Sequence, residues 1–330
     1  MGNKFSYYDG NIKNCKFNGY GKLYYDSKLT KIYYAGEWKD DLRHGKGKTY
    51  NRNGNLLYEG EYKNNQRYGK GKSYYENGNI MCEGEWINNK LYGEGKCYHE
   101  NGNIMYEGEI NDNERHGKGK SYYENGNIIY EGIYKNNERS DYGKIYYQNG
   151  NLMYDGEYKN KKIEGKCKIY CEHGKLIYEG ENKNGKSHGK GKIYYENGKI
   201  KYEGEFKNGY MYGKGKYYYD NGNIKYEGDF KNGCMHGEGK YYYKNGNIKY
   251  EGGFENDKKN GYGKLYYENG NIKYEGEFKH NNIYDYDHGK KYYENGNIMH
   301  ENISIYCLMN HDNKTIESQQ SSNNNLLIEL

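Results

Sequence analysis

The sequence contains no proline and no valine, and Ala35 is its only alanine. Tyrosine and glycine each occur 49 times, and the mean hydropathy is −1.39. Aliphatic side chains are therefore too scarce for a thick hydrophobic core, while the abundance of tyrosine argues against a disordered chain. The composition predicts a thin sheet that is held together by strand pairing and by aromatic stacking between neighbouring segments.

The cysteines lack the spacing of a metal site or of a disulfide framework. We interpret them as reduced thiols in a reducing compartment: Cys15, Cys82, Cys97, Cys167, Cys171, Cys234 and Cys307. Signal-peptide features and apolar runs of membrane-spanning length are also missing from the sequence. We therefore expect an intracellular protein, either cytoplasmic or peripheral at the cytoplasmic face of a membrane.

What the sequence does contain is a repeat with a period of 24 residues. The unit from Gly228 to Glu251 illustrates it, and a fixed period over so long a span indicates a repeat array. The glycine of a Tyr-Glu-Gly signature, or of a close variant, marks each copy: Gly36, Gly60, Gly84, Gly108, Gly132, Gly156, Gly180, Gly204, Gly228, Gly252 and Gly276.

Each repeat is predicted to form a β-hairpin. Asn245-Gly246 is a strong signal for a two-residue type I′ turn, because both positions of that turn need a positive φ. Pairing outward from this turn produces two faces. The aromatic face carries Gly239, Tyr241, Tyr243, Ile248, Tyr250, Gly252 and Phe254, and the charged face carries Lys240, Tyr242, Lys244, Lys249 and Glu251.

The other copies support this register, because the same charge pair recurs in them. Each exposed pair contributes only about 0.2–1 kcal/mol, so it mainly favours one register over its neighbours. The predicted pairs are Lys72–Glu83, Lys96–Glu107, Lys120–Glu131, Lys192–Glu203, Lys216–Glu227, Lys240–Glu251 and Lys264–Glu275, with Lys144 opposite Asp155.

The chain is predicted to have four parts. Residues 1–7 form an N-terminal segment in which Met1 to Ser6 match the pattern for myristoylation of Gly2. Residues 8–302 hold about twelve repeats. Residues 303–317 are expected to cap the last sheet edge, and residues 318–330 to form a disordered tail with an apolar end.

The residues Tyr202 to Gly209, followed by Gly213-Lys214-Gly215 and Asn221-Gly222, resemble the MORN repeat, especially its variant form. The resemblance implies an elongated, twisted antiparallel structure with one hairpin per repeat. It also implies a scaffold, a dimerisation surface or an adaptor at membranes, with phospholipid binding proposed for some members. Variant copies also occur in antitoxin components. The expected fold class is therefore all-β: an elongated, solenoid-like antiparallel β-hairpin repeat array in a single twisted sheet.

The sequence provides no catalytic, cofactor or nucleic-acid signature. Lysine and tyrosine strands follow the G-x-G pairs, whereas a phosphate-binding loop needs a following helix. Basic and acidic residues alternate instead of forming a basic stripe, so we expect no nucleic-acid binding. Four histidines precede the G-x-G pair of their repeats, but they lie two or three repeats apart and are not expected to share a metal: His44, His116, His188 and His236.

We therefore expect a non-enzymatic repeat scaffold that mediates protein–protein interaction or self-association. An apolar strip on the aromatic face of a single sheet would be exposed to water, and such strips mark interaction sites. The alternatives are a peripheral phospholipid-binding protein at an anionic membrane and an antitoxin-like module that binds a protein. The candidate sites are Gly2 as lipid anchor, the tyrosines of the charged face (Tyr74, Tyr98, Tyr122, Tyr146, Tyr170, Tyr194, Tyr218, Tyr242 and Tyr266) and the cations Lys63, Arg67, Lys207 and Lys231.

Overall fold

The computed structural model describes residues 7–159, 162–284 and 289–299, and these form only β-strands and the turns that join them. The described ranges contain 25 strands, and the recorded pairings are antiparallel. None of these residues belongs to a helix of the length and apolarity needed to cross a membrane. The predicted all-β array of antiparallel hairpins is confirmed.

The chain divides into two compact units, of which the first is Met1–Lys161. Each strand of this unit pairs with its neighbours in the sequence. The strands are β1 (Tyr8–Lys13), β2 (Lys16–Tyr24), β3 (Ile32–Lys39), β4 (Leu42–Tyr50), β5 (Leu56–Lys63), β6 (Gln66–Tyr74), β7 (Ile80–Ile87), β8 (Lys90–Tyr98), β9 (Ile104–Asn111), β10 (Glu114–Tyr122), β11 (Ile128–Lys135), β12 (Glu138–Tyr146) and β13 (Leu152–Lys159).

The second unit is Lys162–Leu330. Its strands also pair in sequence order, except that β23 pairs with both β24 and β25. The strands are β14 (Lys162–Tyr170), β15 (Leu176–Lys183), β16 (Lys186–Tyr194), β17 (Ile200–Lys207), β18 (Tyr210–Tyr218), β19 (Ile224–Lys231), β20 (Cys234–Tyr242), β21 (Ile248–Glu255), β22 (Lys258–Tyr266), β23 (Ile272–Lys279), β24 (Asn282–Ile283) and β25 (Lys290–Lys291).

The predicted register is correct over most of each hairpin. Tyr241 lies opposite Tyr250, and Lys240 lies opposite Glu251. The same pairing recurs in the other repeats, as the repeated lysine and glutamate positions predicted. A one-residue slip would move every side chain to the wrong face, so this agreement fixes which residues face the core.

The prediction is wrong near the loop of the hairpin. Tyr242 lies opposite Ile248, one residue away from its predicted partner, because a bulge interrupts the ladder. The amide of Gly246 donates a hydrogen bond to the carbonyl oxygen of Tyr243 at 3.0 Å, and Gly246 has a φ of 95° while Asn245 does not have a positive φ. The connection is therefore a three-residue loop that ends on a left-handed glycine.

The two-residue turn with two positive φ values occurs at the other end of each hairpin, where successive repeats join. At Asn232-Gly233 the φ values are 53° and 86°, and Lys231 pairs directly with Cys234 across the turn. Asn and Asp also occupy these positions, since both residues tolerate the left-handed region. Turns of this kind include Asp40-Asp41, Asn64-Asn65, Asn88-Asn89, Asp112-Asn113, Asn136-Asn137, Asn208-Gly209 and Asn256-Asp257.

The core consists of tyrosine rings that lie over glycines of the sheet. Tyr58 is 0 % exposed, and its hydroxyl donates to the carbonyl oxygen of Glu61 at 3.3 Å. A Cβ atom at Gly71 would lie closer than 3.0 Å to the hydroxyl, Cζ and Cε2 atoms of this ring. The glycines therefore provide the space that the rings need. We call these residues the core tyrosines: Tyr34, Tyr58, Tyr106, Tyr130, Tyr154, Tyr178, Tyr202, Tyr226, Tyr250 and Tyr274.

The expectation of an exposed apolar strip on the aromatic face is wrong. A second column of aromatic side chains packs edge-on between the core tyrosines; for example, the Tyr226 and Phe254 ring centroids are 5.1 Å apart at an interplanar angle of 85°. Phe254 is only 5 % exposed. The rings cover one another because each glycine lets a tyrosine lie flat on the backbone. The column consists of Trp38, Tyr62, Trp86, Tyr134, Tyr158, Phe206, Phe230, Phe254 and Phe278.

The prediction of reduced thiols is wrong for one pair of cysteines. Cys82 and Cys97 lie directly opposite each other on β7 and β8 and form a disulfide. Cys82 occupies the position of a core tyrosine, so two sulfur atoms replace a ring at this point. Another cysteine, Cys167, occupies a glycine position and accepts a hydrogen bond from Asn182 Nδ2 at 2.8 Å. The expectation for Cys307 lies outside the described residues.

Candidate functional site

The charged face carries a ladder in which lysines and acidic side chains alternate from strand to strand. Lys72 lies opposite Glu83, and Glu83 also lies opposite Lys96 of the next strand. These partly exposed pairs contribute little to stability and mainly fix the register. The predicted ion pairs are confirmed, with nitrogen–oxygen distances of 2.9–4.0 Å, for Lys72–Glu83, Lys96–Glu107, Lys120–Glu131, Lys192–Glu203, Lys216–Glu227, Lys240–Glu251 and Lys264–Glu275; Lys144 and Asp155 are cross-strand partners.

The tyrosines predicted as an interaction surface lie beside this ladder. The hydroxyl of Tyr98 donates to Glu83 Oε1, and that of Tyr242 donates to Glu227 Oε1, both at 2.5 Å. Burial, reinforced by the hydrogen bond to Glu83, raises the pKa of Tyr98 to about 12. The same bond lowers the pKa of Glu83. Equivalent bonds to glutamate are made by Tyr74, Tyr122, Tyr146, Tyr194, Tyr218 and Tyr266.

These tyrosines therefore have a structural role in addition to the predicted one. Each hydroxyl ties one strand to a carboxylate of the preceding strand, while the ring stays half-buried beside the lysine stems. Tyr170 occupies the same position at the end of β14. The rings form a stiff amphipathic border along the ladder, which is the kind of surface enriched at protein interfaces. Their part in binding stays a prediction.

In the first unit a groove follows the charged face from Glu59 on β5 to Lys144 on β12. Cross-strand glycine pairs, such as Gly71 with Gly84, form part of its lining. Cations and carboxylates stand side by side along it, so the groove is complementary to a partner that carries both signs. Its charged and aromatic lining includes Lys70, Lys72, Tyr74, Glu83, Glu85, Glu94, Lys96, Glu107, Lys118, Lys120, Glu131 and Tyr142.

Three of the predicted binding cations lie on the charged face, beside the two-residue turns. Lys63 places its Nζ 4.9 Å from the ring centroid of Tyr68, and Lys207 places its Nζ 4.9 Å from that of Tyr212. Lys231 is exposed at the equivalent position in the next repeat. The three lysines thus share one edge position within their own units.

Arg67, the fourth predicted cation, lies on the opposite face. Its guanidinium carbon is 4.5 Å from the ring centroid of Tyr58 and 5.1 Å from that of Trp86. Burial lowers the pKa of Arg67, and the side chain covers the aromatic core. The structure therefore does not bring Arg67 together with the edge lysines, because alternate residues of a strand point to opposite faces.

Sequence reasoning missed a second set of cations, which we call the lysine row. It lies in the second unit, where each ammonium group stands over a tyrosine ring at 5.2–5.7 Å. The signal in the sequence is a change of residue type at one repeat position, from leucine, isoleucine or methionine to lysine. The row consists of Lys201, Lys225, Lys249 and Lys273.

The expectation that Lys249, a member of this row, lies on the charged face is wrong, because Lys249 is the extra residue of the bulge opposite Tyr241 and Tyr242. The row lies on the aromatic face, where Lys225 stands over Tyr217, the cross-strand partner of a core tyrosine.

The histidines considered for a metal lie on separate strands. His44 is on β4, His116 on β10, His188 on β16 and His236 on β20. Over residues 7–159, 162–284 and 289–299, no group of three or more histidine, cysteine, aspartate or glutamate side chains is arranged to hold a metal ion.

Several predicted features lie outside the described residues. They are Gly2 with its acylation signal, the capping segment 303–317 and the tail 318–330. The boundary predicted at residue 302 lies there as well.

Two family models match the chain. The MORN repeat model matches residues 8–30, 34–56, 58–80, 154–174, 202–224, 226–248 and 250–272. The MORN repeat variant model matches residues 91–112, 115–136, 143–160 and 187–208. Together these matches extend over both units and account for most of the strands described above.

No curated protein sequence matches the chain. Solved structures with some likeness include that of TcdB2-TccC3, at 12 % identity and a TM-score of 0.19, and that of TcdB2-TccC3-TEV, at 11 % identity and a TM-score of 0.16. The alignments cover 78 % and 80 % of this chain, but the chain spans only 15 % and 17 % of the length of those chains.

Proposed function

Because the chain belongs to the MORN repeat family, we propose that it is a non-enzymatic scaffold that binds a protein partner through its charged face. Repeats of this family are generally modules for protein or lipid interaction. The observation that carries the proposal is the groove of the first unit, which extends over several repeats and is lined by residues of both charges. The partner is another protein or a second copy of the chain.

The chemistry of the groove favours a protein over a uniformly charged ligand. The ladder alternates lysine with glutamate, so a polyanion would meet a carboxylate beside each ammonium group. A protein surface with its own pattern of charges can match that alternation. The tyrosines Tyr74 and Tyr142 add aromatic area at the groove. Such rings contribute to affinity, whereas exposed charge pairs contribute mainly to specificity.

The proposal can be tested with photo-crosslinking in a host extract combined with sedimentation equilibrium of the purified chain. A photoreactive phenylalanine derivative at Tyr74 reports on the groove. The same replacement at Tyr266 is the matched control, because Tyr266 makes the same hydrogen bond to a glutamate outside the groove. Crosslinks to one protein species, or a stable dimer, at Tyr74 alone are expected. A monomer with equal, diffuse crosslinking at both positions would contradict the proposal.

A second candidate function is binding to an anionic phospholipid surface at the cytoplasmic face of a membrane. It is favoured by the exposed lysines at the edge of the charged face: Lys39, Lys63, Lys135, Lys159, Lys183, Lys207, Lys231 and Lys279. Each lysine near such a surface contributes about 1 kcal/mol. Acylation of Gly2 would provide the second signal that stable anchoring needs.

Flotation with phosphatidylserine vesicles tests this second function, and mass spectrometry of the native N-terminus tests the anchor. Salt-sensitive flotation that is lost in Lys207→Gln/Lys231→Gln would support the lipid function. No flotation at low salt, with an unmodified Gly2, would exclude it.

A further inference from the structure

The lysine row of the second unit occupies the same position in four successive repeats. Each ammonium group lies over a half-buried tyrosine ring, in the geometry of a cation–π interaction. The distances from Nζ to the ring centroid are 5.7 Å for Lys201 and Tyr195, 5.5 Å for Lys225 and Tyr217, 5.2 Å for Lys249 and Tyr243, and 5.4 Å for Lys273 and Tyr267.

The lysines of the row are partly withdrawn from water and close to one another. Burial lowers the pKa of Lys225, and the positive charges of Lys201 and Lys244 lower it further. Asp257 acts on Lys225 in the opposite direction, and Asp220 lies 3.9 Å from the ammonium of Lys244. Burial also lowers the pKa of Lys201. An anion placed along the row would relieve both the lost hydration and the mutual repulsion.

The fold does not need lysine at this position. In the first unit the equivalent residues are apolar: Leu57, Met81, Met105, Ile129 and Met153. The hairpins around them have the same register as those of the second unit. Methionine or leucine therefore fits the same backbone without the cost of crowding positive charges, which points to a role for the lysines in binding.

We propose that the lysine row binds an extended acidic segment of a partner protein, with carboxylates about every third residue. Two strands per repeat place successive lysines about 10 Å apart. One turn of a polyproline II segment contains three residues, spans about 9 Å and returns every third side chain to the same face. Such a segment can present one carboxylate to each lysine while its intervening side chains lie on the tyrosine rings. This inference rests on the proposed function, because it specifies one kind of protein partner.

The geometry favours a peptide over a membrane surface. The lysines stand in single file over rings, with the ammonium groups held by tyrosines instead of projecting freely from the sheet. Lipid headgroups are mobile in the membrane plane and need no fixed spacing, so exposed edge lysines such as Lys207 and Lys231 would serve them as well. A fixed spacing is useful only to a ligand with a fixed repeat of its own.

The test uses the full chain and a fluorescein-labelled peptide with a glutamate at every third residue, separated by serine and glutamine. Its affinity is measured by fluorescence anisotropy at low salt. The variant Lys225→Met/Lys249→Met gives the row two residues of the type found in the first unit, so it is expected to fold. Because two of the four ion pairs are lost, binding should weaken by about tenfold.

The matched control is Lys166→Met/Lys190→Met, which removes the same charge from exposed positions on the charged face of the same unit. It should leave the affinity within about twofold, because those side chains point away from the row. A peptide of the same composition with its glutamates in one block should bind more weakly. Equal weakening by both double variants, equal affinity for both peptides, or binding to phosphatidylserine vesicles alone would overturn the proposal.

Failure of the lysine-row proposal can be distinguished from failure of the proposed function. Failure of the acidic peptide to bind, together with crosslinking at Tyr74, would remove the lysine row as a site and leave the groove in place. Failure of both would remove the protein-binding function itself.

Discussion

In the first unit arginines cover the aromatic core in four repeats, whereas in the second unit an isoleucine, a serine, two methionines and a lysine occupy the same position. The lysine, Lys259, also places its ammonium group over rings of the core. The guanidinium of Arg115 lies 5.0 Å from the ring centroid of Tyr134, and that of Arg139 lies 4.9 Å from that of Tyr130. The arginines are Arg43, Arg67, Arg115 and Arg139, and their counterparts include Ser187, Met211 and Met235. The strands pair in the same way in both units, so the side chains that lie over the aromatic core can differ while the fold stays the same.

The second column of aromatic side chains also differs between the two units. In the first unit the hydroxyl of Tyr134 donates to Ser121 Oγ at 2.9 Å, in a buried contact. In the second unit Phe206 replaces the tyrosine and Ile193 replaces the serine at the same register. A phenol needs a polar partner when it is buried, whereas a phenyl ring needs apolar volume. In these two repeats the members of the pair therefore differ together.

The first unit also contains an interruption that the second lacks. In the second unit the rings stack edge to face without a break from Tyr178 to Tyr274. In the first unit the stack runs from Trp38 to Trp86 and starts again at Tyr106. The Cys82–Cys97 disulfide fills the gap, with Leu91 and Ile110 buried around it. At this point a covalent bond takes the place of aromatic packing.

The largest effect is expected from adding a methyl group under a core tyrosine. A Cβ atom at Gly239 would lie closer than 3.0 Å to three atoms of the Tyr226 ring. Gly239→Ala should therefore lower the free energy of unfolding by about 3 kcal/mol, as overpacking of a filled core does. At Gly95, in the interruption, the atoms in the way are the ends of the Ile110 and Leu91 side chains and a backbone oxygen. Gly95→Ala should cost about 1 kcal/mol. Urea unfolding measures both.

Gly78→Ala is the control for backbone conformation. Gly78 has a φ of 89° with no atom within 4 Å of the added Cβ, so only the strain of the left-handed region, about 1 kcal/mol, should be seen. Equal losses at Gly239 and Gly95 would show that the tyrosine rings are not what requires the glycines.

The disulfide should stabilise the first unit locally. It closes a loop with a sequence separation of 15, for which the chain-entropy estimate is about 3 kcal/mol. Reduction should therefore increase amide hydrogen exchange in β7 and β8, while β19 and β20 of the second unit exchange as before. Cys82→Ser/Cys97→Ser should exchange like the reduced protein and be insensitive to reductant. Unchanged exchange upon reduction of the wild type would contradict this role.

The sequence was sufficient to predict the hairpin array and its register, because the Lys240–Glu251 pair recurs in most repeats. It was not sufficient to assign the turns. Asn-Gly occurs both at Asn245-Gly246 and at Asn232-Gly233, and the two sites adopt different loops. The dipeptide favours positive φ at either place, and only the register of the flanking strands decides which loop closes.

The burial of the core tyrosine rings could not be predicted from the sequence either. A tyrosine two residues before a glycine of its own strand gives no indication that its ring will also lie over a glycine of the next strand. The contacts between turns were missed for the same reason. Asn79 Nδ2 donates to the carbonyl oxygen of Glu100 at 2.8 Å, and Asn103 Nδ2 to that of Glu124 at 2.7 Å, so each loop is tied to the next. Such contacts depend on how repeats stack, which a single repeat does not encode.

An intermediate effect is expected from exchanging the buried hydroxyl pairs between units. Tyr134→Phe should cost about 1–2 kcal/mol, because Ser121 loses its buried partner. Phe206→Tyr should cost a similar amount, because its new hydroxyl would be buried opposite Ile193. Adding Ile193→Ser should recover about 1 kcal/mol of that loss. Additive losses in the double variant, measured by urea unfolding, would show that the two positions are not coupled.

The smallest effect is expected from the tyrosine–glutamate bonds of the charged face, which occur in both units. Tyr98→Phe and Tyr242→Phe each remove a hydroxyl that donates to a glutamate at 2.5 Å. Both bonds lie at the partly exposed ladder, so each variant should lose only about 0.5 kcal/mol at neutral pH. Similar losses would confirm that the tyrosine–glutamate bonds are equivalent in the two units.

The pH dependence of this loss identifies its cause. The hydrogen bond from Tyr98, and next the bond from Lys72, hold the pKa of Glu83 below its ordinary value in the folded protein. A depressed carboxyl pKa contributes stability that is present above the unfolded value of about 4.3 and is lost as the pH falls through the folded value. In Tyr98→Phe the pKa of Glu83 should rise, as measured by NMR titration of its carboxyl carbon. The stability difference from the wild type should then shrink below about pH 4. A difference that stays constant into acid would assign the loss to packing of the ring instead of to the hydrogen bond.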